Sequence, residues 1–118
     1  MQQTMDLHSN VDHRNNDVYT SFRRLLSANF RTIKKVKDYA VQLNISEKIL
    51  NEIILQRTGD NVSNLIFKQV LLEAKRLLKS GVSAKEVAYD LNFSDPAHFS
   101  KFFKIQTGIS PSEFNKYK

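Results

Sequence analysis

A chain of 118 residues that is 41% hydrophobic can bury one compact core, and no Gly- or Pro-rich tract divides it. Lys+Arg 18 against Asp+Glu 12 give a net charge of +6, which fits a polyanion binder and equally a basic protein with no such partner. The lack of cysteine excludes disulfides and thiolate metal sites, and no apolar run reaches membrane-spanning or signal-peptide length, so a soluble, cytoplasmic protein is expected.

Residues 1–17 show no hydrophobic period and are rich in Asn, Asp and Gln, which predicts a disordered tail or the remnant of a linker. His8 and His13 within it read as two exposed histidines rather than a metal site. From Val18 to about Arg31 the spacing of Val18, Phe22, Leu25, Leu26 and Phe30 predicts a helix with one buried stripe, with Arg23, Arg24 and Arg31 on its solvated side. Thr32 is the expected cap of a second helix, Ile33 to Gln42, in which Ile33, Val36, Tyr39, Ala40 and Leu43 face inward. Lys34, Lys35 and Lys37 point outward, either toward phosphate or simply into water. Ser46 then caps a helix that stops at Thr58-Gly59, where glycine supplies a left-handed residue.

From Asn61 to about Lys79, Leu65, Ile66, Val70, Leu71, Ala74, Leu77 and Leu78 make a wide apolar face on one long helix. The chain restarts at Ser83, which with Glu86 forms a capping box, and Val87, Ala88 and Leu91 give the inward face. Asn92 tolerates the left-handed conformation needed to turn sharply. Asp95 and Pro96 open the next helix, with Phe99, Phe102 and Phe103 buried. Its other face carries Ala97, Ser100, Lys101 and Lys104, with His98 beside them as either a base contact or a ring partly buried against Phe99. Small, polar and basic groups on a second helix after a tight turn suit a DNA major groove. Ser110, Pro111 and Glu113 open a closing helix over about 110–117 that brings Phe114 and Tyr117 inward.

The chain repeats itself. Leu43-Asn44-Ile45-Ser46 returns 48 residues later as Leu91-Asn92-Phe93-Ser94, and Thr58-Gly59 returns 49 residues later as Thr107-Gly108. With the later offset Ser46 pairs with Asp95, Leu50 with Phe99, and Ile53 and Ile54 with Phe102 and Phe103. An all-α fold of about seven helices follows, with helix-turn-helix units over about 33–59 and 83–107 joined by the long helix over about 61–79.

The run Leu91-Asn92-Phe93-Ser94-Asp95-Pro96, followed by Phe99-Ser100-Lys101, Phe103-Lys104 and Thr107-Gly108-Ile109-Ser110-Pro111-Ser112-Glu113-Phe114, resembles the signature of the AraC/XylS family of bacterial transcription regulators. The likeness extends over about Val18 to Tyr117, so 18–118 is the expected domain. It implies a sequence-specific regulator with two recognition helices in successive major-groove segments of double-stranded DNA. Carried over by position, the base-facing residues are Lys48, Asn51 and Glu52 in the first unit and Ala97, His98 and Lys101 in the second. The spacing of Lys48, Asn51 and Glu52 opposite Leu50, Ile53 and Ile54 independently supports the first set. Expected phosphate contacts are Ser46, Ser100, Lys104, Lys34 and Lys35. RNA polymerase is a further expected partner, and a dimer would form through an N-terminal domain that many family members carry. The chain is then a stand-alone regulator or the segment before Val18 is the stump of a longer one.

Two departures stand out. Asn92 replaces the family's usual glycine, and Leu55, the repeat partner of Lys104, replaces a common basic residue, so the first unit lacks one phosphate clamp. The competing reading is a helical protein-interaction module, or a fragment of a larger ligand-sensing regulator with little DNA affinity of its own; its apolar surface would rest on Ile49 and Leu55. No catalytic cluster, metal site or cofactor motif is visible, so no enzyme is expected.

Overall fold

Two asparagines with left-handed backbone, Asn44 at φ 57° and Asn92 at φ 59°, mark equivalent corners in a computed structural model that describes residues 2–116, with side chains from Asn15 onward. The elements are α1 (Gln2–Asn29), α2 (Val36–Gln42), α3 (Glu47–Thr58), α4 (Val62–Lys79), α5 (Ala84–Asp90), α6 (Pro96–Thr107) and α7 (Pro111–Lys116). No strand occurs among the described residues, in line with the all-α expectation. The chain divides into two units at Ile66 and Phe67. The repeat read from the sequence is structural: α2 and α5 are offset by 48 residues at both ends, and α3 and α6 by 49. The extra residue lies in the turn, where Asn92-Phe93-Ser94-Asp95 matches Asn44-Ile45-Ser46.

In the first unit α1 buries Phe22, Leu26 and Phe30 one turn apart, while Val18 and Leu25 stay half-buried. The helix begins at Gln2 rather than at Val18. Once packing of its C-terminal half has nucleated the helix, each added turn needs only one more hydrogen bond per residue, so polar composition alone does not stop it. His8, His13 and the rest of the expected tail before Asn15 lie outside the residues whose side chains are described.

The start of α2 also departs from expectation. Thr32 does not cap it; its hydroxyl donates to the Asn29 carbonyl at 3.4 Å, and the amide of Ile33 also returns to Asn29 at 2.8 Å. Helix begins only at Val36, after Lys35, which makes no side-chain cap. The cause is Tyr39, fully buried, whose hydroxyl donates to the Ile33 carbonyl at 2.7 Å and holds that carbonyl outside the helix. Burial pushes the Tyr39 phenol up to about 12, so it remains a donor across the neutral range.

Each corner is closed in the same way. The Ile45 amide donates to the Ala40 carbonyl at 3.1 Å, and the Phe93 amide to the Ala88 carbonyl at 2.9 Å. Ser46 Oγ then accepts from the Ile49 amide at 3.1 Å, and Asp95 Oδ1 from the His98 amide at 2.8 Å, capping α3 and α6 as expected. Gly59 at φ 78° and Gly108 at φ 84° end the two helices. Just before them, Thr58 and Thr107 donate their hydroxyls to the carbonyls of Ile54 and Phe103.

The cores differ. Unit one closes over Leu50, Ile53 and Ile54, with Tyr39 edge-on to Phe22 at 5.5 Å. Unit two is a run of touching rings, Phe67 to Phe102 to Phe93 to Phe99 to Phe103 to Phe114, with successive centroids 5.3–5.8 Å apart. Tilted and edge-on pairs of this kind add about 0.5–1.5 kcal/mol each beyond their buried area. Val70, Ala74 and Leu78 of α4 and Val87, Ala88 and Leu91 beside them complete that core. Ser83 caps α5 through the Glu86 amide, and Ser110 Oγ accepts from the Glu113 amide at the start of α7.

At φ near 59° a Cβ crowds the following carbonyl oxygen, which Gly avoids and the short polar side chain of Asn offsets by local hydrogen bonding, so Asn92→Ala is expected to lower stability by about 1–2 kcal/mol while Asn92→Gly changes it little. Urea denaturation of the two variants checks this.

Candidate nucleic-acid interface

Because Leu50 and Ile54 face the core of unit one, residues about half a turn away on α3 must face out. Lys48, Ile49, Glu52, Leu55 and Gln56 are all exposed. On α6, opposite Phe99 and Phe103, the repeat-related residues Ala97, His98, Lys101, Lys104 and Ile105 are exposed as well. Each arc begins within a turn of a capped N-terminus, so the caps and the left-handed corners determine which side chains stand outward.

On α6 the three residues expected to face bases come together, since Ala97, His98 and Lys101 line a shallow hollow of about 150 Å³. His98 is not a partly buried ring. It is exposed, with Nδ1 2.9 Å from both Asp95 Oδ1 and Ser94 Oγ. Asp95, the helix cap, thereby also orients the imidazole through its Nδ1. Its carboxyl lies below the ordinary range, first because the His98 amide donates to it and then through the ring contact. The ionised cap is therefore retained at neutral pH and lost only in acid, as the carboxylate takes up its proton.

On α3, Lys48 and Glu52 are exposed, and Glu52 and Ile49 border a groove of about 560 Å³ that includes Val18, Ile45, Ile53 and Gln56. Asn51 has another duty. It is half-buried, and its Oδ1 accepts from the Val62 amide at 3.0 Å, satisfying the first N–H of α4. A two-point grip on adenine needs that carbonyl, so Asn51 is less suited to base reading than its spacing implies. The repeat partner of Asn51 is Ser100 and that of Val62 is Pro111, which has no N–H to satisfy. Ile49, read from the sequence as exposed apolar surface, lies on the outer arc of α3, and Ile105, which the sequence reading did not single out, lies on that of α6.

The expected phosphate contacts are placed unevenly. Ser46 is exposed and keeps its hydroxyl proton for a second partner while capping α3, Lys104 and Lys35 are exposed, and Ser100 is half-buried. Lys34 is half-buried too, and burial lowers the pKa of its ammonium. The apolar surface is wider than Ile49 and Leu55, since Val41, Leu72, Tyr89 and Ile105 are also exposed. Among the described residues no group of His, Cys, Asp or Glu is placed to hold a metal ion, and no helix is long and apolar enough to cross a membrane.

The model of a helix-turn-helix domain family matches residues 39–117, a span that contains both corners. The chain belongs to the AraC/XylS helix-turn-helix family. Its sequence is similar to that of the Msm operon regulatory protein of Streptococcus mutans, 30% identical over 95 residues that cover 80% of this chain and 34% of that protein. The fold is similar to the C-terminal domain of AraT, a response regulator from Geobacillus stearothermophilus, with a TM-score of 0.78 and 24% identity over 86% of this chain and 85% of that one. It is also similar to the DNA-binding domain of AdpA, a global transcriptional factor whose crystal structure contains a target DNA; the TM-score is 0.71 and the identity 23%, over 87% and 90% of the two chains. This AraC/XylS-type chain spans about a third of the length of the curated relatives it matches.

If Asn51 is chiefly a cap for α4, Asn51→Ala leaves the Val62 amide unsatisfied and is expected to lower stability by about 1–2 kcal/mol. Ser100→Ala, at the repeat-related position, is expected to change stability by less than about 0.5 kcal/mol. Chemical denaturation of both variants measures the difference.

Proposed function

We propose that this chain is a sequence-specific DNA-binding domain of a transcription regulator, reading double-stranded DNA with the outer arcs of α3 and α6. The observation that carries the reading is the pair of repeat-related, exposed arcs, each starting at a capped helix N-terminus, where recognition helices touch base edges. The net charge of +6 and the target DNA held by the AdpA domain support it. Lys101 and Lys48 are donors for guanine O6 and N7, Glu52 an acceptor for cytosine N4, and Ala97 a surface for a thymine methyl. His98 offers its outward ring edge to a base, and Asn51 its remaining amide group. Ser46, Ser100, Lys104 and Lys35 hold phosphates, with Lys34 a weaker contributor. In the cell the domain acts on nucleoid DNA in the cytoplasm, with RNA polymerase as a protein partner and dimerisation through an N-terminal region.

The second unit carries most of the affinity in this reading. The α6 arc bears Lys101 and Lys104 with no acid, whereas on α3 Lys48 is offset by Glu52 and Leu55 stands at the position of Lys104. Selection of bound sequences from a random DNA pool, followed by a salt titration on the selected site, tests the function. A protein-interaction module would enrich no sequence.

Lys101→Ala is expected to weaken binding to the selected site by about 1–3 kcal/mol and to relax preference at one base pair. Equal losses on selected and random DNA, measured by gel shift, would remove Lys101 from base reading. Lys104→Ala is expected to weaken all sequences alike and to reduce the slope of log K against log salt by about one, as for one phosphate neutralised.

A further inference from the structure

We infer that Ile49 is a specificity residue of the first unit and reads the C5 methyl of a thymine. The inference rests on the DNA-binding reading above and deepens it. Ile49 is the third residue of α3 and the repeat partner of His98, so it occupies in unit one the place that the oriented imidazole occupies in unit two. It is a large apolar side chain left 46% exposed within one turn of a capped helix N-terminus.

The surroundings decide what covers it. Lys48 and Glu52 are on the same exposed arc, and Leu55, the other outward apolar residue of α3, lies about 120° away around the helix. Ile49 and Leu55 therefore do not merge into one patch, and Ile49 instead borders the groove that holds Val18, Ile45 and Ile53. On the outer arc Ile49 stands between a donor, Lys48, and an acceptor, Glu52, which matches the edge of a base pair, where the thymine methyl is the one apolar feature among polar atoms. Two further features favour this use. The Ile49 amide is fixed by Ser46 Oγ at 3.1 Å, which sets the backbone, and β-branching restricts χ1, so little side-chain freedom is lost on contact. The carbonyl of Asn51 is engaged with Val62, which leaves only its amide group for a base and gives Ile49 a larger share of first-unit reading beside Lys48 and Glu52.

Deoxyuridine lacks only the C5 methyl, which makes it the probe. With the full 118-residue chain and the site it selects from a random pool, each thymine is replaced singly by deoxyuridine and binding is measured by gel shift for the parent chain and for Ile49→Ala. At one thymine the parent is expected to lose about fourfold in affinity, equivalent to about 0.8 kcal/mol for one buried methyl-sized group. Ile49→Ala is expected to bind the unmodified site more weakly and to show no further loss at that deoxyuridine, while keeping its penalties at any other thymine. Circular dichroism checks that Ile49→Ala is folded at the assay temperature, and Ile49→Val, which keeps a branched apolar surface, should keep most of the deoxyuridine penalty. If no deoxyuridine penalty depends on residue 49 although a site is selected and bound, this assignment is overturned and the DNA-binding reading stands. If the chain selects no sequence at all, both are overturned.

Discussion

The left-handed residue at each corner is the constraint on which the rest of the molecule depends. An α-helix that must be followed at once by another, at an angle and within three or four residues, has to reverse its backbone twist at one position, and Asn44 and Asn92 do so at φ 57° and 59°. The reversal brings the next amide back to the carbonyl of Ala40 or Ala88, which in turn requires a small residue at that inner position; both alanines are buried. Only after that closure are Ser46 and Asp95 placed to cap, and only the caps give α3 and α6 a defined first turn. The arcs available for recognition are consequences of two backbone dihedral angles.

What was legible in the sequence is what chain neighbours decide. The corners, the caps at Ser46, Ser83, Asp95 and Ser110, and the stops at Gly59 and Gly108 involve residues within a few positions of one another, so residue type and spacing carry the information. Where the structure adds to or departs from the sequence reading, longer reach or an element's own cooperativity is involved. Tyr39 displaces the start of α2 by bonding to a carbonyl six residues back, and Asn51 serves an amide eleven residues ahead. The N-terminal extent of α1 depends on propagation from a packed half rather than on the composition of the extension. The outer arcs could be read approximately because burial of Leu50, Ile54, Phe99 and Phe103 fixes their complement. Only side-chain hydrogen bonding revealed that Asn51 differs from its neighbours on α3.

The two copies have diverged in a correlated way. Unit one has a mixed core, in which Phe22, Phe30 and Tyr39 pack with Leu50, Ile53 and Ile54, under an outer arc whose charges cancel, and Lys35 begins α2 without a side-chain cap. Unit two has a capped α5, a continuous set of phenylalanine rings and a cationic outer arc. Like charges placed on one helix face repel and lower stability, and a better-capped, more aromatic unit tolerates that burden more easily. The proposed division of labour between the units therefore has a counterpart in how each is held together.

Proline at position 111 has a consequence for how such a domain changes over generations. In unit one the amide of Val62 must find an acceptor, and Asn51 supplies it from the helix that also presents the outer arc. A substitution that altered recognition at that position would also loosen the start of α4. In unit two Pro111 removes the donor itself, so the demand on position 100 disappears. Drift at position 100 is thus uncoupled from folding, whereas drift at position 51 is not. A lineage seeking new binding preferences would find its permissive ground in the second helix-turn-helix, with one imino acid as the reason.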